Sequence, residues 1–418
     1  MNEVKLKLAA LMMQKNETEL LEKWIIYHAD LFGIDNLYIF DNGSDDKQTI
    51  EILRHWESQG IRVIWEYLSK QDFESKGTIL GDRIKMLETS HHYDCFIPLD
   101  CDEFLAVRLS NGAISCEATD ICDEIKRHAG SEDILLIDAQ FFNSPISEQW
   151  FHRFENRKCF FMKGTFKSMD VGFHWGKTKN SEKEVKTNLV QFHFHYKPFA
   201  IAREYARNKL ALRVKSFDKD YLSNYKGAGE HLVKYFLLSE KQYLKNVLSV
   251  PHFYINVLSE KFASLGIEWP YFHEMKDSFS VLTPNADFNQ KDIVRKLHNV
   301  ADHRFRGSID QIVCVGENIR IDGWCAEMNT LPICHFALEG AKGEQYLVTG
   351  ESVLRPDIAS LLGFDDRKFG FAITVPIEVL HSLGISELIL FPKLQSGEMG
   401  PALSINKKYQ NFISDVLS

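Results

Sequence analysis

Residues 95–103 read CFIPLDCDE. An apolar run, Cys95 to Leu99, stops abruptly on Asp100-Cys101-Asp102-Glu103. A short apolar run bounded by polar residues is the pattern of a buried strand. In extended backbone, residues i and i+2 face the same way. Asp100 and Asp102 therefore share a face, and Glu103 points elsewhere and braces the turn. Two carboxylates so placed can hold a divalent cation, which in turn neutralises a diphosphate. A solvated strand end that caps the next helix is the plainer reading of the same residues.

The pattern upstream favours a site. Leu6 to Met13 (LKLAALMM) reads as a buried strand, and Gln14 to Glu17 as a polar turn. Thr18 to Phe32 places Leu20, Leu21, Trp24, Ile25, Tyr27, His28 and Leu31 at helical spacing, and Gly33 stops it. Asn36 to Phe40 is a second strand, ending in Asp41-Asn42-Gly43-Ser44-Asp45-Asp46. Ile50 to Trp56 reads as helix, Ile61 to Tyr67 as strand and Thr78 to His91 as helix, before the fourth strand at Cys95. Strands alternating with helices predict βαβ units and a mainly parallel sheet. Ligands of such sheets bind at the carboxyl ends of the strands. The clusters at Asn16-Glu17, Asp41 to Asp46 and Asp100 to Glu103 all lie there, so they converge on one crevice. Taken singly, each has a structural account. Gly43 supplies a turn and the Asp41–Asp46 cluster an N-cap for the next helix, and Glu17 is favoured near a helix N-terminus by the helix dipole.

The chain has 418 residues, which at roughly 150 per domain suggests two or three domains. Hydrophobic residues make up 44%, enough for sizeable cores, so global disorder is excluded. The net charge of −9 argues against a generic nucleic-acid binder. None of the eight cysteines forms a C-x-x-C pair, so reduced thiols are expected and structural zinc is not. No apolar run approaches the ~20 residues of a membrane span, and the N-terminus lacks a signal-peptide pattern. These features predict a cytoplasmic protein, with a peripheral place at the inner face of the membrane left open.

Beyond Ile134 the regular alternation stops. Ile134 to Phe142 and Leu189 to Tyr196 read as strands, and Phe199 to Phe217 and His231 to Leu248 as helices. After Gly307, short apolar runs separated by Gly, Pro and Asn predict a small all-β sandwich. The expected division is residues 1–290, a linker at 291–307, and residues 308–418. Arg355-Pro356-Asp357 reads as a turn with an internal ion pair.

The segment KNETELLEKWIIYHADLFGIDNLYIFDNGSDD, followed by DCFIPLDCDEFL, resembles glycosyltransferase family 2-like proteins. Within them it is most similar to the branch that approaches glycosyltransferase family 92. FHFHYKPFAIAREYARNK resembles the later His-Tyr segment of that family. The resemblance implies a GT-A fold, a nucleotide-binding α/β sandwich with a D-x-D metal motif. Asn16 and Glu17 then match the first-strand motif near the nucleotide. Asp41 and Asn42 match the loop that reaches base and ribose, and Arg83 a basic residue near the donor. Asp100 and Asp102 match the D-x-D. His195 matches a later His that adds a metal or diphosphate contact, with His174 a second candidate. The implied cofactor is Mn²⁺ or Mg²⁺. The C-terminal unit resembles accessory β-domains of some bacterial glycosyltransferases.

On this reading the chain is a hexosyltransferase that moves a sugar from a nucleotide-diphosphate donor, a UDP-sugar, to a glycan or polysaccharide acceptor. The cation stabilises charge on the departing nucleoside diphosphate. A carboxylate takes the acceptor's proton in an inverting reaction. Asp138, Glu148 and Asp170 are available, and Asp170 is preferred for its closeness to His174. Trp150, Phe173 and Trp175 are candidates to stack on sugar faces. The competing reading is an inactive GT-A-like carbohydrate-binding or scaffolding protein, which retention of Asp100, Asp102 and the Asp41 cluster opposes. A nucleotidyltransferase would want a Gly-rich phosphate loop after the first strand, and none is present.

Overall fold

The structure, a computed structural model, describes residues 6–282 except 91–92, 110–113, 156, 212 and 251–252. It also describes 305–417 except 328–330, 341–344, 363–367, 386–387, 394–401 and 404. It is a mixed α/β protein with several sheets. Contacts divide it into two compact units, Met1–Leu109 with Ile114–Val294, and Arg295–Ser418 with Ser110–Ala113.

Strand β1 (Leu8–Gln14) is buried along its whole length, as a central strand covered on both faces must be. Its alternate residues serve two cores. Ala10 and Met12 pack with Leu20, Leu21, Trp24 and Ile25 of helix α1 (Thr18–Phe32). Ala9, Leu11 and Met13 pack instead with Leu80, Ile84 and Leu87. Those last three lie on α4 (Lys76–Ser90), which follows α2 (Lys47–Ser58) and the short α3 (Lys70–Glu74). The result is helix, sheet, helix, dictated by the period-2 alternation of a strand apolar on both faces.

β2 (Leu37–Asp41) lies parallel to β1, and β3 (Arg62–Ile64) parallel to β2. The chain then returns to lay β4 (Cys95–Pro98) parallel to β1 on its other side. The order β3-β2-β1-β4 thus reverses direction between β1 and β4, which is a topological switch point. Beyond β4 the sheet continues with β10 (Lys158–Met162, antiparallel), β7 (Ile134–Ile137) and β13 (Glu184–Lys186).

A second sheet runs in the order β15 (Phe253–Tyr254), β9, β8, β14, β5 and β6 (Ile114–Ser115). It contains β5 (Glu103–Arg108), β8 (Ala139–Ser144), β9 (Ser147–Phe154) and β14 (Leu189–His193). The strand expected through Tyr196 ends at His193, because Asn143 takes over the backbone pairing. Its Nδ2 donates to the Tyr196 carbonyl at 2.8 Å, and its Oδ1 accepts from the Tyr196 N–H at 2.9 Å. The helix expected over Phe199 to Phe217 stops at Leu210, and that over His231 to Leu248 is broken. Its last piece starts afresh at Glu240 on a Ser239–Gln242 capping box.

In the C-terminal unit, a five-stranded antiparallel sheet built on Phe305–Val315 and Asn318–Glu327 shares a core with the three strands His335–Glu339, Gln345–Thr349 and Leu390–Pro392. Phe336 and Phe371 meet there at 4.3 Å. The expected all-β character is incomplete, since helices Pro356–Leu361, Ile377–Ser382 and Lys407–Leu417 belong to the unit. The Arg355–Asp357 ion pair is present at 2.7 Å and Asp310 joins it. Of the expected linker, 291–304 lies outside the described residues, and 305–307 already belong to a strand. Among the described residues no helix is long and apolar enough to cross a membrane.

Candidate functional site at the switch point

The turn after β4 is built from its own residues. Glu103, fully buried, accepts the Asp100 backbone N–H on Oε2 at 2.9 Å. Its other oxygen lies 2.9 Å from Nζ of Lys158. Lys158, at the start of β10, also sits 2.6 Å from Oδ2 of Asp100. Lys76, the first residue of α4, is 2.6 Å from Oδ1. Asp100 is therefore gripped by two ammonium groups, both with buried side chains. Burial opposes its ionisation, but the two lysines hold its carboxyl well below the usual range. Burial likewise disfavours the charged form of Lys158 and so lowers its pKa, yet Glu103 and Asp100 raise it above the ordinary lysine value. The ring of Phe173 lies 4.5 Å from the Lys76 ammonium and 5.2 Å from that of Lys158.

Phe173 has φ +59°, a conformation uncommon for a residue of its size. Asp170 maintains it. Its carboxylate accepts the Trp175 N–H at 2.7 Å and the Gly172 N–H at 3.2 Å, and its carbonyl accepts from Phe173. The structure thus puts Asp170 in the turn that lays Phe173 over the lysines.

Asp102 occupies the other arm of the turn. Nε2 of His193 lies 3.5 Å from its Oδ1, and Nδ1 of His193 lies 3.0 Å from Oε1 of Gln140. Against burial, His193 first and then Lys197 hold the Asp102 carboxyl well below the usual range. Burial likewise disfavours the His193 imidazolium, but Asp102 and Glu103 raise its pKa above the ordinary value. Lys197, four residues past the strand end, places Nζ 3.3 Å from Oε2 of Glu17, which also accepts from the Tyr205 hydroxyl at 3.2 Å. Asp102 adds to the field that raises Lys197, after Glu17.

The carboxyl ends of β1 and β4 therefore carry a cluster of charges, in which His193 bridges Asp102 and Glu103 and the Lys197–Glu17 pair stands apart but within the field of Asp102. The cluster's carboxylates are Glu17, Asp100, Asp102 and Glu103; its cations are Lys76, Lys158, Lys197 and, when protonated, His193. Sequence reading found the carboxylates and missed the lysines. A cation opening the apolar strand KCFFM was the available signal for Lys158.

The other expected residues fall in different roles. Asn16, at φ +55°, donates to Asp45 at 2.6 Å and accepts the backbone N–H groups of Asp45 and Asp46, so it clips the first loop to the second. Asp41 is buried and accepts from Gln14 at 2.6 Å and from Ser44. Asn42 donates to the carbonyls of Tyr67 and Ser69. Arg83 lies 5.7 Å from the Phe40 ring centroid, on an open groove of about 690 Å³ along β3. His195 is exposed and stacks on Phe142 at 4.4 Å. His174 bonds the Arg157 carbonyl at 2.7 Å. Trp150 and Phe173 are core residues, whereas Trp175 is 65% exposed with the Arg157 guanidinium 4.0 Å from its ring. Asp138 is taken up by Arg108 at 2.9 Å, and Glu148 lines a small cavity with Phe262 and Trp269, where burial raises its pKa.

The donor set implied for a divalent cation, Asp100, Asp102 and His195, is not assembled. Both Asp100 oxygens face lysines, and His193 rather than His195 faces Asp102. Among the described residues no group of three or more His, Cys, Asp or Glu could hold a metal ion. All eight cysteines are free thiols.

No family model matches the chain, and no curated protein matches it. Among solved structures it is similar to S. aureus TarS, with 11% identity, 96% of this chain and 79% of that chain covered, and a TM-score of 0.27. The 1–349 fragment of TarS in complex with UDP gives 11% identity, 76% and 96% coverage and a TM-score of 0.30. A cytidylyltransferase from Leptospira borgpetersenii serovar Hardjo-bovis gives 11%, 31% and 53%, and 0.21. Similarity at this level assigns no family.

Proposed function

We propose that this chain is a glycosyltransferase that takes a sugar from a nucleoside-diphosphate donor, a UDP-sugar, and passes it to a glycan or polysaccharide hydroxyl. One observation carries the reading. The ionic group of Glu17, Asp100, Asp102 and three lysines sits at the switch point between β1 and β4. That is where open α/β sheets bind nucleotides. The GT-A resemblance of the surrounding sequence agrees with it.

On this reading the diphosphate enters beside Asp102, and Lys197 meets its charge. Lysine is suited to phosphate as a compact point charge. Glu17 and Tyr205 fix the direction of Lys197. Asp170 acts as a positioning residue for Phe173 rather than as the proton acceptor, since its oxygens already accept from backbone N–H groups. Residues 1–290 carry the transfer, and 308–418 are an accessory domain.

A thermal-shift screen of UDP, GDP, CDP and ADP tests the proposal. UDP at a hundredfold excess over its Kd should raise the melting point by about 5 °C. The Asp102→Ala variant should lose that rise. No shift with any nucleotide would contradict the proposal.

A further inference from the structure

We propose that this crevice receives the diphosphate on lysine ammoniums in place of a divalent cation, with Lys76 and Lys158 occupying the Asp100 oxygens that a metal would require. The proposal rests on the nucleotide reading above for its ligand, and on the site's own geometry for its cations. A divalent ion such as Mg²⁺ wants near-octahedral oxygen ligands at roughly 2.0–2.1 Å. Asp100 has both oxygens engaged by ammonium groups at 2.6 Å, as charge-assisted hydrogen bonds.

The lysines are not readily displaced. Nζ of Lys158 also balances Glu103, whose side chain is 0% exposed, so moving Lys158 away would leave a buried carboxylate unpaired. Lys76 and Lys158 both lie against the Phe173 ring, inside a turn fixed by Asp170. A divalent ion at Asp100 would also sit beside two fixed positive charges, and like charges at that range repel. Asp102 remains, but Nε2 of His193 faces its Oδ1 at 3.5 Å, and His195 is stacked on Phe142. The D-x-D residues thus anchor cations that belong to the protein.

Two measurements on the full chain test this. Mn²⁺ alone is titrated into the protein, and the aqua-ion signal is followed by electron paramagnetic resonance. UDP binding is measured by calorimetry in EDTA and again in Mn²⁺. The expected results are no uptake of Mn²⁺ and UDP affinities that agree within about twofold in the two buffers. UDP binding strengthened by about tenfold or more in Mn²⁺, or Mn²⁺ uptake that disappears in Asp100→Asn, would overturn the proposal. UDP binding in neither buffer, with no Mn²⁺ uptake, would refute the nucleotide reading and with it the diphosphate on the lysines, while still showing Asp100 closed to a divalent ion. Lys76→Gln and Lys197→Gln, made separately and checked for fold by circular dichroism, should each weaken UDP about tenfold or more in EDTA. Unchanged affinity in both folded variants would overturn the role of the lysines.

Discussion

Lys197 brings its ammonium to 3.3 Å from a Glu17 carboxylate oxygen, although 180 positions separate the two residues. Glu17 ends the turn after β1, and Lys197 follows β14. One ion pair therefore ties the first strand of the parallel sheet to a strand of the second sheet, beside Asp102.

Removing either partner should leave a largely buried charge unpaired. Lys197→Met should cost about 3 kcal/mol in urea unfolding, by analogy with buried pairs that lose one member. The double variant Lys197→Met, Glu17→Gln should recover part of that loss. Strictly additive effects would show that the pair is not coupled.

His28 gives a pH dependence of stability unrelated to the ionic group. It is buried, bonds the Trp24 carbonyl through Nδ1 at 2.9 Å, and has its pKa pushed down from 6.5 to about 3, chiefly by burial. In the unfolded chain it binds a proton near pH 6.5, so the unfolded state holds more protons between about pH 3 and 6.5. Its contribution is complete above pH 6.5 and lost progressively as pH falls. At pH 5 wild type should have lost about 2 kcal/mol from this group relative to pH 7. His28→Met should lose less over the same interval, and equal losses would contradict the assignment.

Gly77 marks a close approach. A Cβ there would lie 2.5 Å from the Asp170 carbonyl oxygen and 2.7 Å from that of Met169. Gly77→Ala should force the start of α4 away from the Asp170 turn, at a cost of about 1–3 kcal/mol. Since Lys76 is the neighbouring residue, UDP binding should weaken as well. A variant that keeps both stability and binding would show that the approach is not tight.

Gln191 should tolerate loss of its amide. Both of its polar atoms are buried without a hydrogen-bond partner in β14. Replacing an unsatisfied buried amide with an apolar side chain removes a desolvation cost. Gln191→Leu should therefore be neutral or stabilising by about 1 kcal/mol in thermal unfolding, whereas a large loss would reveal a bound water or ligand there.

Much of the parallel sheet was legible in LKLAALMM, NLYIF and CFIPL, because a central strand must be apolar on both faces. Their order across the sheet was not, since returning β4 beside β1 is a matter of tertiary packing. The acids of the site stood out as polar breaks after apolar runs. Lys76, Lys158 and Lys197 did not, because a lysine's partner is set by residues 24, 58 or 180 positions away. The resemblance pointed to His195, whereas His193 is the one that stands beside Asp102. The choice follows from Asn143, which ends the strand at His193 and leaves His195 against Phe142.

The most direct test of transferase activity is product analysis. The full chain is incubated with UDP-, GDP- and CDP-sugars and with mixed glycan acceptors, and the nucleotide products are identified by mass spectrometry. The account predicts release of a nucleoside diphosphate, UDP, together with a glycan heavier by one hexose. It predicts that both products vanish in Asp102→Ala. Pyrophosphate as the product, or nucleoside diphosphate release that persists unchanged in Asp102→Ala, would contradict it.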